Sequence, residues 1–178
     1  MTDSAPAIFV VAANEASCDD LQTIFGMRGS GFGCRCQRYK LRPRESFGNF
    51  PVEDAYLGGE PAGWCAVEPR SAYEGLLRVY RVPWEGRSED KSDDRVWAVT
   101  CFFTRAGFRK RGVSRALAQA AVNFARERGA LAVEGYPITT KDVILQELHV
   151  GTERMFAAAG FREVSRPTAR RLVMRVDF

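Results

Sequence analysis

At 178 residues, with a formal net charge of +4, an apolar fraction of 46% and a charged fraction of 27%, the chain has the make-up of a soluble domain with one core. The positive excess is small and scattered, which argues against nucleic acid as a partner while still favouring the approach of an anionic ligand. No stretch nears the roughly 18 to 20 apolar residues of a membrane span, and residues 1–7 lack the basic start and apolar run of a signal peptide. No membrane partner is expected, and a cytoplasmic location is.

The five cysteines are an odd number in a chain of this size and do not read as a disulfide framework. Cys34 and Cys36 form a C-x-C pair, but no second pair accompanies it and the single histidine is His149. No metal is therefore expected, and the cysteines read as packing thiols.

In chain order, the apolar run 8–12 reads as a strand. Ser17 is placed to cap a helix over Cys18–Phe25, with Asp19 and Asp20 in its first turn. Beyond that helix the chain is punctuated by Gly29, Gly31 and Gly33. Segment 41–55 holds two prolines and a glycine, so it is either a very short helix or an incomplete piece. Residues 56–61 read as a strand end entering a hairpin turn. Residues 62–67 form the returning strand, with Trp64 and Ala66 on one face and Cys65 and Val67 on the other. Residues 70–95 form a long polar connection, with Asp90, Asp93 and Asp94 near its end. Loops of that length usually carry function.

Val96–Thr104 is almost continuously apolar and predicts a strand covered on both faces. Residues 113–128 predict an amphipathic helix, with Val113, Leu117, Ala120, Ala121 and Phe124 at helical spacing and Gly129 as its stop. A strand at 131–136 is cut by Pro137. A helix at 152–159 is stopped by Gly160, and strands at 161–164 and 172–176 close the chain. The order predicts a mixed α/β domain around one central sheet, spanning 1–178.

The chemistry concentrates in residues 102–114, where a buried strand runs into a basic, glycine-containing turn that opens a long helix. The first amides of a helix have no intrahelical acceptor and sit at the positive end of its dipole, so they form an anion site. Arg109, Lys110 and Arg111 oppose that dipole, so local stability does not explain them, whereas an anionic ligand does; the competing reading is a solvated charge run. Two motifs overlap here. From Gly107 to Ser114 the order G-x-x-x-x-G-V-S approaches the phosphate-binding loop of nucleotide hydrolases, but Val113 stands where that loop needs its lysine. From Arg109, the order R-x-x-G-x-S resembles the [RQ]-x-x-G-x-[GA] pyrophosphate loop of the GNAT N-acetyltransferase superfamily, with Ser114 replacing the usual Gly or Ala. Downstream, Met155 to Val164 resembles the helix, Gly-Phe turn and strand that end GNAT domains. The resemblance runs over about 56–178 and is clearest over 96–164.

This resemblance implies a mixed sheet with a splayed strand pair flanked by helices. It implies acetyl-CoA as acetyl donor and a primary amine, on a small molecule or a peptide, as acceptor. Transfer would be by direct attack in a ternary complex, and a homodimer is left open. Backbone amides of Arg109, Lys110, Arg111, Gly112, Val113 and Ser114 would cradle the pyrophosphate. The pantetheine arm would pair with main-chain groups of Phe102, Phe103 and Thr104, and the two aromatic side chains can belong to the core at the same time.

The catalytic residues are where the chain departs from the family. Phe156 stands where many GNAT enzymes place a tyrosine as general acid, and it has no proton to give. His149, where an asparagine is common, is a candidate acid or base near neutral pH, or an ordinary loop histidine. Glu134, near the end of the strand flanking the gap, is a candidate base for the acceptor ammonium, or a surface glutamate. Tyr136 points to the same side and is a substitute phenol. Cys65 and Cys101 read as packing residues. Acceptor contacts are expected from 70–95 and 137–150. The rival readings are an acyl-CoA sensor that has lost its general acid, and a nucleotide hydrolase.

Overall fold

A computed structural model describes residues 7–27, 39, 53–57, 59–78, 81, 83–139 and 143–178. The apolar run Val96–Thr104 forms the fourth of seven strands among these residues: β1 Ile8–Val11, β2 Glu53–Leu57, β3 Glu60–Pro69, β4 Val96–Thr104, β5 Ala132–Gly135, β6 Arg162–Thr168 and β7 Arg171–Asp177. They make one sheet in the order β1-β2-β3-β4-β5-β7-β6, so β4 is central and its continuous hydrophobicity is explained by cover on both faces. Neighbours pair antiparallel except β4 and β5, which are parallel. A parallel pair needs a crossover, and the helix between them provides it.

Four α-helices accompany the sheet among the described residues: α1 Cys18–Phe25, α2 Glu74–Arg78, α3 Val113–Glu127 and α4 Glu153–Ala158. Ser17 caps α1 as expected, its side chain accepting from Asp20 N at 3.1 Å. Thr152 does the same for α4 from Met155 N at 3.3 Å. The buried row of α3 is Val113, Leu117, Ala118, Ala121, Val122 and Ala125. It is rotated slightly from the expected stripe, leaving Ala120 and Phe124 at its margin. This row packs with Cys65, Val67, Val99 and Val133 of the sheet. Burying Leu117 completely contributes roughly 1.5–3 kcal/mol.

On the opposite face, Ile24 and Phe25 of α1 pack on Trp64, Ala66 and Cys101, which bears out the expected faces of β3. The rest of that face is covered by the segment following β3, and here the sequence reading needs correction. Rather than a simple polar connection, it buries Arg70, Tyr73, Leu76 and Trp84. Its chain forms a 3-10 turn at Arg70–Ala72 and then α2. The Trp84 indole donates to Leu76 O at 2.9 Å, fixing the ring in a cluster with Ala98, Tyr136 and Val173. The buried positions are dispersed among charges, so no periodicity betrays them. The expectation of a short helix at 41–55 falls largely outside the described residues; its last three positions belong to β2.

Two irregularities in β4 set up the site. The β4–β5 ladder runs from Val96↔Ala132 to Val99↔Gly135 and stops, while β4 continues to Thr104. On the other side, β3 pairs Val67 with Val99 and Ala66 with Cys101, so Thr100 is a bulge residue without a partner. The expected splayed pair is thus β4 and β5. Phe156 of α4 fits against Gly135, where an added Cβ would lie 2.3 Å from its ring. The same ring meets Phe102 and Phe161 edge-on, with centroids 5.6 and 4.8 Å away.

Candidate active site

The open side of β4 presents main-chain groups in a definite pattern. Just beyond the strand, Arg105 N donates to Ala62 O at 2.9 Å and so faces β3. Successive residues of a strand point their N–H and C=O to alternate sides. Phe103 therefore also faces β3, while Phe102 and Thr104 turn theirs toward the gap left by β5. Arg109 Nε reaches Thr104 O on that side at 3.4 Å. Of the three residues expected to pair with an extended ligand, two have free geometry for it, and Phe103 is committed to the sheet.

At the end of this edge lies the basic turn. A 3-10 turn at Ala106–Phe108 leads to Lys110 with φ of 61° and Gly112 with φ of 86°, with Arg111 between them. Lys110 is the only non-glycine with positive φ among the described residues. Such alternation gathers successive amides into a concave anion nest, and a strained backbone of this kind persists where function keeps it. Gly112 O accepts from the amides of Arg115 and Ala116 at 3.0 Å. No amide from Arg109 to Ser114 donates to a backbone carbonyl among the described residues. Residues Arg109, Lys110, Arg111 and Gly112 are exposed, and the Arg105 and Arg111 guanidiniums flank the Phe108 ring at 4.8 and 5.7 Å. Val113 is instead in the core at 1% exposure, packed under β3. A lysine there could not reach a phosphate, so the nucleotide-hydrolase reading fails on geometry as well as on residue type.

One rung inside the fork, opposite Ala98 of β4 and Arg175 of β7, stands Glu134. The sequence suggests a carboxylate at the lip of the gap or on the surface. It is completely buried. Oε1 accepts from Arg87 Nη2 and from Arg175 Nη1 at 3.1 Å. Oε2 accepts from Arg87 Nη1 at 3.2 Å and Tyr136 Oη at 3.0 Å, with Arg70 Nη1 at 3.3 Å. The roughly four lone-pair sites of a carboxylate are filled, so none is left to take a proton from an acceptor. Glu89 caps the group from solvent, touching Arg87 at 2.9 Å, Arg175 at 3.1 Å and Arg70 at 3.3 Å. Tyr136 is corrected with it. Burial, then the Glu134 charge and hydrogen bond, push the phenol well above its usual range, and its proton is already given to Glu134. It is a poor substitute acid. Cys101 is disulfide-bonded, which corrects its reading as a packing thiol and excludes it as an acyl carrier. Cys65 is a buried thiol outside any disulfide and donates to Leu117 O, 3.8 Å away. Cys34 and Cys36 lie outside the described residues, among which no group of three or more His, Cys, Asp or Glu is arranged to hold a metal.

The sequence profile of the acetyltransferase (GNAT) family matches residues 19–139. The chain belongs to the GNAT acetyltransferase family. Its fold is similar to that of a GCN5-related N-acetyltransferase from Kribbella flavida, at 17% identity and a TM-score of 0.56, over 97% of this chain and 98% of that one. It is also similar to a Bacillus subtilis acetyltransferase solved in complex with CoA, at 11% identity and a TM-score of 0.51, over 97% and 99% of the two chains. At such identities the likeness is one of fold. Among curated proteins none matches the sequence.

As a GNAT protein the chain is unusual in its proton-handling groups. Phe156, at the position of the family's common tyrosine, is completely buried behind Gly135. His149 is the remaining candidate, carried by a turn next to Gly151. It lies half-buried in the 3-10 turn Leu145–Val150, its ring centroid 6.4 Å from that of Tyr39. Two residues on, an added Cβ at Gly151 would meet the Phe102 ring at 3.2 Å, and Gly151 O accepts from Ile138 N at 3.4 Å. The turn therefore runs beside the β4 edge. Sequence reasoning missed Arg70, Arg87, Arg175 and Thr100. The three arginines come from segments far apart in sequence, so no local spacing links them to Glu134.

Removing the Glu134 charge takes the buried counterion from Arg70, Arg87 and Arg175 and leaves them the partly exposed Glu89. Glu134→Gln is expected to lower stability by about 3–5 kcal/mol in guanidinium denaturation. Glu89→Gln, at a carboxylate 42% exposed, is expected to cost under about 1 kcal/mol. Burial raises the Glu89 carboxyl, but the hydrogen bond and charge of Arg87 and the charge of Arg175 outweigh it and hold the group below its usual range. Its contribution is therefore complete above the ordinary glutamate value of about 4.3 and is lost as pH falls through the lowered one. Equal losses for the two variants would contradict the placement of Glu134 as the buried centre.

Proposed function

We propose that this protein transfers the acetyl group of acetyl-CoA to a primary amine by direct attack in a ternary complex. The observation that carries the reading is the pairing of an open β4 edge at Phe102 and Thr104 with the amide nest over Arg109 to Ser114, in line along one strand. An extended pantetheine arm would add to the edge by main-chain hydrogen bonds, and the pyrophosphate would sit on the nest under the basic side chains of Arg109, Lys110 and Arg111. Binding in this way holds the thioester in one place and one orientation, which supplies much of the rate. All seven described strands join one sheet, which supports a single catalytic domain. Among the described residues no helix is long and apolar enough to cross a membrane; the acceptor is proposed to be a small-molecule or peptide amine in the cytoplasm.

The acceptor must lose a proton before it attacks, and with Glu134 saturated the base is assigned to His149, directly or through water. The departing thiolate needs less help. A thiol with an ordinary value of about 8.5 is already a tolerable leaving group, which is consistent with Phe156 where a phenol is common. That same phenylalanine favours a second reading, an acyl-CoA sensor without turnover.

Gly112→Asp is expected to abolish CoA binding in calorimetry, because it puts bulk and negative charge into the nest at a positive φ. Binding equal to the parent's would remove the pyrophosphate site from this loop. CoA thiol release over a panel of amine classes then separates enzyme from sensor: release with at least one class supports transfer, and tight CoA binding with no release supports the sensor.

His149→Ala is expected to lower turnover by roughly 10²-fold at neutral pH, the scale of losing a positioned base. The deficit should shrink as pH rises and free amine becomes abundant. A deficit independent of pH would take the base role from His149.

A further inference from the structure

Thr100 is left over between two ladders. On one side β3 pairs with Val99 and Cys101 and skips it; on the other the β4–β5 ladder ends one residue earlier, at Val99↔Gly135. Its neighbours are absorbed by opposite faces, Val99 into the cluster under α3 and Cys101 into the cluster under α1. Thr100 itself is 1% exposed, and its Oγ1 is buried with no hydrogen-bond partner among the described residues. An unmade hydrogen bond in a protein interior forfeits the full hydration of the group, whereas valine offers nearly the same shape without that cost. Unsatisfied buried hydroxyls are rare enough to require a reason. Here the residue that carries it stands where the strands part.

The position along β4 supplies the reason. An arm whose pyrophosphate rests on the nest and whose amides pair with Thr104 and Phe102 runs toward Val99 and Gly135. Thr100 lies four steps along the strand from Thr104, about 13 Å at roughly 3.3 Å per residue. The reactive end of an extended arm arrives at the fork. We propose that the Thr100 hydroxyl donates a hydrogen bond to the carbonyl oxygen of the acyl thioester, a catalytic contact that strengthens as that oxygen gains charge. The inference rests on the function proposed above. The hydroxyl keeps its proton throughout. The amine nitrogen forms the C–N bond, the C–S bond breaks, the electron pair leaves on the CoA sulfur, and the surplus ammonium proton goes to the base.

The test compares Thr100→Val and Thr100→Ser with the parent for thermal unfolding, for calorimetric affinity toward CoA and acetyl-CoA, and for the infrared carbonyl stretch of bound acetyl-CoA labelled with carbon-13 at the carbonyl. Thr100→Val should unfold no lower than the parent, because it removes an unsatisfied group. It should bind CoA equally well and acetyl-CoA roughly 3- to 10-fold more weakly, the range of a single hydrogen bond. The bound carbonyl stretch should move to higher frequency. Thr100→Ser should retain the parent's values. Unchanged acetyl-CoA affinity and stretch in Thr100→Val would overturn the inference while leaving the proposed function in place. A lower unfolding temperature with equal loss of both ligands would overturn it too, by assigning the hydroxyl to the fold. If the parent binds neither ligand, the proposed function falls and this contact falls with it.

Discussion

The parting of β4 from β5 is the constraint on which the rest depends. Inside a sheet, a strand that loses its neighbour leaves N–H and C=O groups without partners, and buried groups of this kind are costly. Phe102 and Thr104 turn such groups to the gap because the ladder stops at Gly135, and of these Thr104 O is met by Arg109 Nε at 3.4 Å. Gly135 is also where a side chain is impossible without moving Phe156, whose ring occupies the place of a Cβ. The fork is therefore packed behind by Phe156, while β4 runs on past it to Thr104. A partner for this edge would have to bring donors and acceptors in an extended arrangement, which is why an extended ligand is proposed there.

The buried ionic group around Glu134 is best understood from the same constraint. A short β5 of four residues gives the fork little rigidity of its own. Glu134 ties that strand to β7 through Arg175 and to the covering segment through Arg70 and Arg87. Desolvating several charges makes such a group weak evidence for net stability, but breaking it leaves unpaired charge and is strongly unfavourable. It fixes β5 one rung before the ladder to β4 ends. The position that the sequence offers as a base is thereby a structural centre, which is why the base is proposed to be His149 instead.

Much of the fold was legible because local signals and tertiary context agree. The continuous run Val96–Thr104 is central in the sheet, Ser17 caps α1, and the boundaries of α3 follow from Val113 inside and Gly129 in the left-handed conformation outside. The anion site was legible for the same reason, since a strand, a glycine turn and a helix start are contiguous in sequence. The covering segment after β3 was not, because Arg70, Tyr73, Leu76 and Trp84 are scattered among charged residues and read as solvated. Nor was the true role of Glu134, whose partners lie 47 and 41 residues away in Arg87 and Arg175. Thr100 was hidden inside an apolar strand, and only the skipped register of β3 singles it out.

On this reading β4 receives an extended ligand through the main chain of alternate residues. Amide hydrogen exchange resolved to single residues, with and without saturating CoA, tests it most directly. Strong new protection is expected at the Phe102 and Thr104 amides and across Arg109 to Ser114, with the Phe103 amide, already paired to β3, unchanged. Protection confined to the loop, or spread equally over Phe102, Phe103 and Thr104, would contradict it.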